Sequence, residues 1–343
     1  MVAYLIIGAL SCCQSRFLQV EDYTMEDFYA DRLVLVAGGT GFIGSHIVDK
    51  LLERGAKVRI PIHMRKLDNN DPNIEILTAD LTTQEDCLRA VEGVDYVFHA
   101  AGAVGSAAVK GNKVMQTMTI NLILTAQILQ AACASDVKRF LLFSSTTGYP
   151  AVDYPVKEDE MWNGPVFPGY FGYGWMKRYI EKLGEFVYGQ SAMKVAIIRP
   201  TAIYGSRDNF DPASCHVIPA LIRRAIEKGN PYVVWGSGEV IRDFLHVKDL
   251  ARACLLMVEK HADCDPINIG SGQAITIKEV VKQILRAVGY ENVRVVYDTS
   301  KPTALPIRIV DTKKARSVIG FEPEIMLEEG IRETVEWYKS NLL

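Results

Sequence analysis

The sequence predicts a doubly wound α/β fold, in which helices cover both faces of a parallel sheet. Leu33–Ala37 is a short, fully apolar and partly β-branched run, as expected of a strand buried on both faces. Similar short runs then alternate with helical stretches, which is the pattern of successive βαβ units. Further strands are predicted at residues 58–62, 74–77, 96–99 and 140–143, and the longer helices at 42–54, 114–134 and 173–190.

The composition is that of an ordinary globular protein of 343 residues. Its 38 basic and 41 acidic side chains give a formal charge of −3, and 49% of the residues are hydrophobic. This balance offers no basic surface for nucleic acid or for an anionic membrane. The seven cysteines are scattered without metal-ligand spacing, so we expect neither a disulfide framework nor a metal site, and we predict a reducing cytoplasm.

The first ten residues are apolar, but no lysine or arginine precedes them and the stretch is too short to span a bilayer. Met25 stands shortly before the first predicted strand. We therefore interpret residues 1–24 as a non-essential extension or a misassigned start, and we expect the N-terminal extension to cover residues 1–30.

Three glycines form a G-x-x-G-x-x-G array directly after the first strand and at the start of a helix: Gly38, Gly41 and Gly44. Glycine permits a tight turn, the close approach of a pyrophosphate to the backbone, and close packing of helix on strand. The helix N-terminus, with Phe42 and Ile43, offers free N–H groups to the anion. This context predicts a dinucleotide-binding site.

The residues after the second strand bear on which dinucleotide binds. The acidic residue that NAD enzymes use for the ribose 2′-hydroxyl is missing there, and Arg65 and Lys66 stand in its place. Cations suit a 2′-phosphate, so NADP is predicted and NAD is the alternative, although both side chains also fit a solvated loop. Asp80 and Leu81, after the third strand, are placed to meet the adenine ring, while Asp80 also fits a helix cap.

After Ile198 the alternating pattern loosens, because prolines divide the chain into shorter pieces. We expect a Rossmann-type nucleotide-binding domain over residues 31–205 and a smaller C-terminal substrate-binding lobe over residues 206–343. The lobe would cover the carboxyl edge of the sheet, where ligands bind in such folds. The boundary is expected to be discontinuous, because residues 233–235 and 244–246 are interpreted as returns to the sheet, which would assign part of 232–255 to it.

Tyr173 and Lys177 form a Tyr-x-x-x-Lys pair whose side chains share one helix face. A neighbouring ammonium favours the phenolate and is expected to lower the pKa of the phenol, so that the pair can serve as acid and base for a carbonyl or alcohol. Ser144 and Ser145 follow the fifth strand, where a hydroxyl can donate to a substrate oxygen. Asn121 lies in the preceding long helix.

From residue 32 to its C-terminus the chain resembles the extended short-chain dehydrogenase/reductase superfamily. The motifs that carry the resemblance are the glycine array, Asp80-Leu81, His99-Ala100-Ala101, Ser144-Ser145, Tyr173 with Lys177, and residues 199–205 and 242–247. The resemblance implies NAD(P)-dependent chemistry on a nucleotide sugar held by the smaller lobe. It also implies a homodimer through paired helices, for which 114–134 and 173–190 are the candidates.

The resemblance further implies roles for individual residues. The catalytic Ser of the superfamily lies four residues before a Tyr in the following loop, and counting back from Tyr149 gives Ser145. Asn121 matches the helix Asn that supports the Lys. The expected cofactor contacts beyond the glycine array are Arg65, Asp80, Leu81, Ala100, Ala101, Lys177 and Pro200.

A narrower similarity, to the GDP-L-fucose synthases, lies in residues 208–224 and 233–238, and more loosely in 300–302 with Asp311. Those enzymes use NADPH to reduce a 4-keto-6-deoxy sugar after a His and a Cys epimerise C3 and C5. The His corresponds to His216, whose imidazole suits proton abstraction beside a ketone. The Cys is replaced by Thr147, a far weaker acid, which weakens the case for epimerisation and leaves C4 reduction intact. Cys215 is a conceivable substitute, but adjacent side chains usually diverge.

Substrate contacts are expected mainly in the lobe. Arg242 and Arg308 suit a nucleotide diphosphate, because a guanidinium fork matches phosphate geometry, although each also fits a surface ion pair. Trp235 fits either stacking on the nucleotide base or packing within the lobe. The other expected substrate contacts are Thr147, Asn209 and Arg224.

Three other functions are alternatives on the sequence alone. A UDP-hexose 4-epimerase would use the same Tyr and Lys with a permanently bound NAD. A sugar 4,6-dehydratase would need an acidic residue where Thr146 and Thr147 stand. A non-catalytic dinucleotide sensor would have no need of both Tyr173 and Lys177.

Overall fold

The computed structural model describes residues 27–63, 71–103, 112–301 and 305–343. Strands and helices alternate through the first part of the chain, as the hydrophobic runs predict. The elements there are β1 (Leu33–Ala37), α1 (Phe42–Glu53), β2 (Lys57–Ile62), β3 (Ile74–Thr78), α2 (Gln84–Val91), β4 (Tyr96–His99), α3 (Asn112–Ala134), β5 (Arg139–Phe143), α4 (Phe171–Gln190), β6 (Lys194–Pro200) and β7 (Ala202–Tyr204).

The second part of the chain forms shorter elements. They are α5 (Val217–Ile226), β8 (Tyr232–Trp235), β9 (Ile241–Arg242), β10 (Phe244–His246), α6 (Val247–Lys260), β11 (Ile267–Ile269), β12 (Ile275–Thr276), α7 (Ile277–Val288), β13 (Val295–Asp298), β14 (Ile307–Arg308) and α8 (Leu327–Leu342).

Seven of these strands form one parallel sheet in the order β11-β6-β5-β4-β1-β2-β3. Helices α1 and α6 pack on one face, and α2, α3 and α4 on the other, which encloses a separate hydrophobic core on each side. The predicted fold class is therefore confirmed. The strand order reverses beside β1, which opens a crevice between the loops that follow β1 and β4.

A third core holds the C-terminal lobe together, between α5, α7 and α8. The structure differs here from the expected returns to the main sheet. Tyr232 and Val234 are buried in this third core, and β8 pairs with β13 in a two-stranded sheet. Strand β10 pairs with β7 in another. The segments that do return are α6, which packs on α1, and β11, which extends the large sheet beside β6.

The end of the expected N-terminal extension is part of the main core. Residues 1–26 lie outside the described residues, but Tyr29 is fully buried and its hydroxyl donates to the carbonyl oxygen of Leu255 at 2.6 Å. The Tyr29 ring also packs against Tyr96 and Phe98. The boundary at residue 30 is therefore too late, because Tyr29 fills space between β4 and α6.

Candidate active site

The turn between β1 and α1 has the geometry of a phosphate cradle. Gly38 has φ of 82°, a left-handed conformation that favours glycine. A Cβ on Gly44 would lie 2.6 Å from the carbonyl carbon of Gly38, so only glycine permits this approach of α1 to the turn. Gly41 caps α1 without a side-chain hydrogen bond, and the first turn of α1 contains no acidic residue. The N–H groups of Phe42, Ile43 and Gly44 thus fit a pyrophosphate.

The neighbouring residues complete the walls of this cradle. The backbone of Ala100 and Ala101, directly after β4, packs against Gly38, where a Cβ would lie 2.7 Å from the Ala101 nitrogen. Pro200 ends β6 beside Ile269 of β11, at the same carboxyl edge of the sheet.

The other expected cofactor contacts are bonded or buried within the protein, or lie outside the described residues. The Asp80 carboxylate accepts hydrogen bonds from the backbone N–H of Thr82 at 3.0 Å and from its hydroxyl at 2.7 Å, which lowers the pKa of Asp80. The side chain of Leu81 is buried in the core beside α2 and α3. Arg65 and Lys66 lie outside the described residues, so their expected part in NADP selection stays a prediction.

Helix α4 brings Tyr173 and Lys177 to the end of β5. The Lys177 ammonium donates to the carbonyl oxygen of Phe143 at 2.7 Å, and its nitrogen lies 5.7 Å from the centre of the Tyr173 ring. Burial lowers the pKa of Lys177 to about 8, although the charge of Glu181 opposes this effect. The pair thus lies beside the turn that carries Ser145.

The expected lowering of the Tyr173 pKa is absent from this structure. Burial raises the pKa of the phenol, and no opposing effect of Lys177 is resolved. The lowered pKa of Lys177 gives the reason, because the lysine has largely lost its charge at the higher pH where the phenol titrates. Tyr173 is therefore protonated at neutral pH, which suits a group that gives a proton.

The two serines after β5 face different partners. The hydroxyl of Ser144 is buried and donates to the carboxylate of Glu181. Ser145 is only partly buried, and its Oγ accepts from the Thr147 hydroxyl at 3.0 Å and from the Thr147 N–H at 3.2 Å. The two serines therefore point in different directions, and Ser145 is the one that lies beside Thr147.

The Asn121 side chain is bonded to the backbone after β4, and its expected support of Lys177 stays a prediction. Its side-chain oxygen accepts from the N–H of Ala103 at 2.7 Å, and its amide nitrogen donates to the Ala103 carbonyl at 2.9 Å. Asn121 thereby fixes the backbone that follows β4. Within the described part of the chain, no hydrogen bond joins the Asn121 side chain to Lys177.

Sequence reasoning missed Glu181, which connects α4 to the sheet. Both of its carboxylate oxygens accept from Arg199 of β6, at 2.8 and 2.7 Å, and both side chains are almost fully buried. Arg199 also donates to the Tyr149 hydroxyl at 2.8 Å. The spacing could have revealed this residue, since Glu181 follows Lys177 by four positions on the same helix face as Tyr173.

The two arginines expected to bind a diphosphate are neighbours in one sheet. Arg242 and Arg308 are paired positions of β9 and β14. Burial, together with the charge of Arg242, lowers the pKa of Arg308 to about 10 against the opposing effect of Tyr170. Arg308 also donates to the carbonyl oxygens of Pro150 at 3.0 Å and Tyr149 at 3.3 Å, so it joins the lobe to the loop after Ser145.

The remaining lobe residues are placed by contacts within the lobe. His216 caps α5 and is exposed to solvent, yet surrounding protein lowers the pKa of its imidazole by desolvation. The Asn209 amide donates to Ser214 at 2.8 Å, and Arg224 donates to the carbonyl of Val233. Trp235 is 53% exposed, with the Lys301 ammonium 5.8 Å from its ring centre. Among the contacts of the described residues, none joins His216 to Tyr173.

Comparison with known proteins places this architecture in a family. The model of the NAD-dependent epimerase/dehydratase family matches residues 34–270. A curated relative, putative GDP-L-fucose synthase 2 of Arabidopsis thaliana, is 33% identical over 318 residues, which cover 90% of this chain and 92% of that protein.

Two solved structures have the same fold. A UDP-glucose 4-epimerase with UDP-glucose from Thermotoga maritima has a TM-score of 0.81 and 29% identity, and the match covers 91% of this chain and 100% of that one. A GDP-L-fucose synthetase from Naegleria fowleri bound to NADP has a TM-score of 0.78 and 26% identity, with 91% and 94% covered. The expected resemblance and the expected dependence on a nicotinamide dinucleotide are confirmed, and the chain belongs to the NAD-dependent epimerase/dehydratase family.

Proposed function

We propose that this enzyme reduces the C4 carbonyl of a nucleotide-linked 4-keto-6-deoxy sugar with NADPH. The observation that carries the proposal is the position of Tyr173 and Lys177 on α4, beside the Ser145 turn and at the same sheet edge as the glycine cradle. The similarity to GDP-L-fucose synthases over about nine tenths of the chain supports a nucleotide sugar as substrate.

The cradle at Gly38, Gly41 and Gly44 would hold the pyrophosphate of the dinucleotide, and backbone near Ala100 and Pro200 would line the rest of its path. When bound, the reduced nicotinamide supplies a hydride to C4. Arg65 is proposed to meet the 2′-phosphate that distinguishes NADP from NAD, and the Naegleria relative bound to NADP supports this choice.

The chain's own residues supply the proton and the orientation. Ser145 and Tyr173 would donate hydrogen bonds to the C4 oxygen, which positions the carbonyl and favours negative charge on its oxygen. Tyr173, protonated at neutral pH, would then give its proton to that oxygen. Lys177 stabilises the phenolate that remains, because an ammonium close to an anion favours the charged form.

Substrate recognition is proposed for the C-terminal lobe. Arg242 and Arg308 would bind the diphosphate, and the exposed ring of Trp235 would stack on the nucleotide base. Thr147 lies beside Ser145 and would face the sugar. Asn209 and Arg224 bond to groups of their own lobe, so we propose that they shape the substrate loop.

Epimerisation is not part of this proposal. His216 corresponds to the base that epimerisation would need, and its lowered pKa keeps the imidazole neutral. Thr147 provides no thiol to act as the matching acid, and Cys215 next to His216 has a pKa raised chiefly by burial. The configuration of the product at C3 and C5, read by NMR, reports whether His216 epimerises these carbons without a paired acid.

The proposal is tested by replacing the phenol. Tyr173→Phe removes the proton donor and one hydrogen bond to the carbonyl, so we expect kcat to fall by about 10²- to 10⁴-fold while NADPH still binds. Turnover would be followed by the loss of NADPH absorbance with a panel of 4-keto nucleotide sugars. Activity within about two-fold of the unmodified enzyme would contradict the assignment of Tyr173.

A UDP-hexose 4-epimerase is the second candidate, because the Thermotoga epimerase structure matches this fold with a TM-score of 0.81. The same assay separates the two functions. A reductase consumes one NADPH for each sugar converted, whereas an epimerase interconverts sugars without net consumption.

We also propose that the enzyme is a homodimer formed through α3 and α4. Helix α3 is apolar enough over Met115–Ala134 to cross a membrane by composition alone, but it packs on α2 and α4. Its outer side leaves Met115 and Ile123 exposed, and α4 exposes a row of aromatic side chains beside it: Phe171, Trp175, Tyr179 and Phe186. Exposed apolar side chains grouped on two packed helices are typical of an interface.

The dimer is tested with a matched pair of charge substitutions. Ile123→Glu places a carboxylate in the proposed interface and is expected to produce monomers in sedimentation velocity. Leu88→Glu is the control, because Leu88 on α2 is 40% exposed, close to the 38% of Ile123. Equal sedimentation of both variants and the unmodified protein would contradict this interface.

The proposed location is the cytoplasm. The described cysteines Cys87, Cys133, Cys215, Cys254 and Cys264 are all free thiols, as expected in a reducing compartment.

A further inference from the structure

His99 carries a hydrogen-bond pattern that defines its tautomer. It ends β4, is 4% exposed, and its Nε2 lies 3.0 Å from the Thr125 hydroxyl. That hydroxyl donates its single proton to the carbonyl oxygen of Asn121 at 2.8 Å. Thr125 must therefore accept from His99, so the imidazole carries its proton on Nε2 and a lone pair on Nδ1.

The Nδ1 lone pair has no partner in the part of the chain that the structure describes, although the atom is buried. Buried polar atoms are almost always hydrogen-bonded, to protein or to an ordered water, because leaving them unpaired is costly. A group near Nδ1 is therefore expected to supply a proton.

Lys177 is a charged group held at the strand that neighbours His99. His99 is paired with Leu142 of β5, and the following residue, Phe143, holds the Lys177 ammonium through its carbonyl. The charge of Lys177 also lowers the pKa of His99, after the larger effect of burial. One of its three N–H bonds is directed at Phe143, which leaves others to point towards the imidazole.

Resting on the proposed function, we propose that His99 is a positioning residue for Lys177, whose ammonium donates through one bridging water to Nδ1 of His99. A buried water needs two to four polar partners, and these two nitrogens supply a donor and an acceptor. The bridge favours the charged form of Lys177 and partly offsets its burial. It also fixes the ammonium where it can stabilise the Tyr173 phenolate.

The surrounding charges agree with this role. Burial lowers the pKa of His99 to about 3, so the ring is neutral throughout the working range and its lone pair is available. The groups on the packed elements are the Thr125 hydroxyl and the Asn121 carbonyl on α3, and Lys177 and Glu181 on α4. Of these, Lys177 is the one that can donate to Nδ1, because the Thr125 hydroxyl gives its proton to the Asn121 carbonyl and the Glu181 carboxylate, paired with Arg199, only accepts.

Two substitutions of His99 test the roles of its two ring nitrogens separately. His99→Gln can keep the donor to Thr125 but provides no acceptor at the position of Nδ1, whereas His99→Asn can place its side-chain oxygen there. We expect His99→Gln to move the alkaline limb of the kcat–pH profile about 0.5 to 1 pH unit lower. His99→Asn should leave this limb within about 0.2 pH unit of the unmodified enzyme.

Measurements without turnover test the inference independently of the proposed function. Nitrogen-15 NMR of labelled histidine should show Nδ1 unprotonated, and carbon-13 NMR of the lysine side chain should show a lower pKa of Lys177 in His99→Gln than in the unmodified protein. A protonated Nδ1, or an unchanged Lys177 pKa in that variant, would overturn the inference. If these NMR results hold while no 4-keto sugar is reduced, the proposed function fails and the role of His99 stands.

A second variant covers the case in which His99→Gln does not fold. Thr125→Val removes the acceptor that holds the proton on Nε2, so the proton is free to move to Nδ1 and the bridge is weakened. The Lys177 pKa should then fall in the same direction. A Lys177 pKa equal to that of the unmodified protein would count against the inference.

Discussion

Replacing Gly44 with alanine tests the phosphate cradle, and the structure gives the size of the effect. The added Cβ would lie 2.6 Å from the carbonyl carbon of Gly38 and 3.0 Å from Cα of Gly39. Ordinary contact between these atoms needs 3.4 Å or more, so the turn must move by close to 1 Å. All the opposing atoms belong to the backbone and cannot rotate away. The first N–H groups of α1 would then lose their alignment with the pyrophosphate.

Each hydrogen bond to a charged group contributes about 1.5–3 kcal/mol, so the loss of one bond should weaken NADPH binding by about 10- to 150-fold. Binding would be measured by calorimetric titration. Gly189→Ala is the matched control, because Gly189 lies in α4 with nothing within 4 Å of an added Cβ. That variant should bind NADPH normally. A dissociation constant for Gly44→Ala within two-fold of the unmodified value, in a folded protein, would refute the role of the turn.

Two further predictions concern charge. Glu181→Gln removes the carboxylate that raises the pKa of Lys177, so the alkaline limb of the rate profile should move to lower pH, and unpaired Arg199 should cost about 3–5 kcal/mol of stability by urea unfolding. Glu185→Gln, on an exposed ion pair, should change neither. His99 has a pKa of about 3 in the folded protein and 6.5 in the unfolded chain, so the unfolded chain takes up a proton there as the pH falls and the protein loses stability. His99→Asn should therefore lose about 2 kcal/mol less than the unmodified protein between pH 7 and 5. Burial raises the pKa of Asp208 to about 7, so the folded protein takes up a proton there as the pH falls and gains stability. Asp208→Asn lacks this gain, so it should lose about 2 kcal/mol more than the unmodified protein between pH 7 and 5. Equal losses in all three proteins would contradict both pKa shifts.

The features predicted well from the sequence are those set by short-range spacing. The glycine array requires only seven consecutive residues between a strand and a helix, and the structure has the turn that this array predicts. Tyr173 and Lys177 lie on one side of α4 because four residues make about one helical turn. The expectation for the centre of the sheet follows in the same way, since β1 and most of β4 and β5 are apolar runs.

Features that depend on distant partners were predicted less well. Residues 233–235 have the apolar pattern of a core strand, and nothing in the pattern distinguishes pairing with β13 from pairing with the large sheet. The direction of the Lys177 ammonium depends on the Phe143 carbonyl, a backbone atom that no side-chain pattern reveals. The burial of Tyr29 likewise depends on α6, more than 200 residues away in the chain.

Helix α4 has consequences for how this protein can diversify. One side carries Tyr173 and Lys177, Arg178 on another donates to the loop carbonyls of Gly148 and Gly164, and the outer side presents the aromatic row. A substitution on any of these three sides of α4 would therefore disturb one of these groups. The loop 208–217 is different, because Asn209, Asp211 and Ser214 bond largely to one another. The proposed substrate loop can therefore be exchanged as a block, which would let a descendant accept a new sugar while α4 stays unchanged.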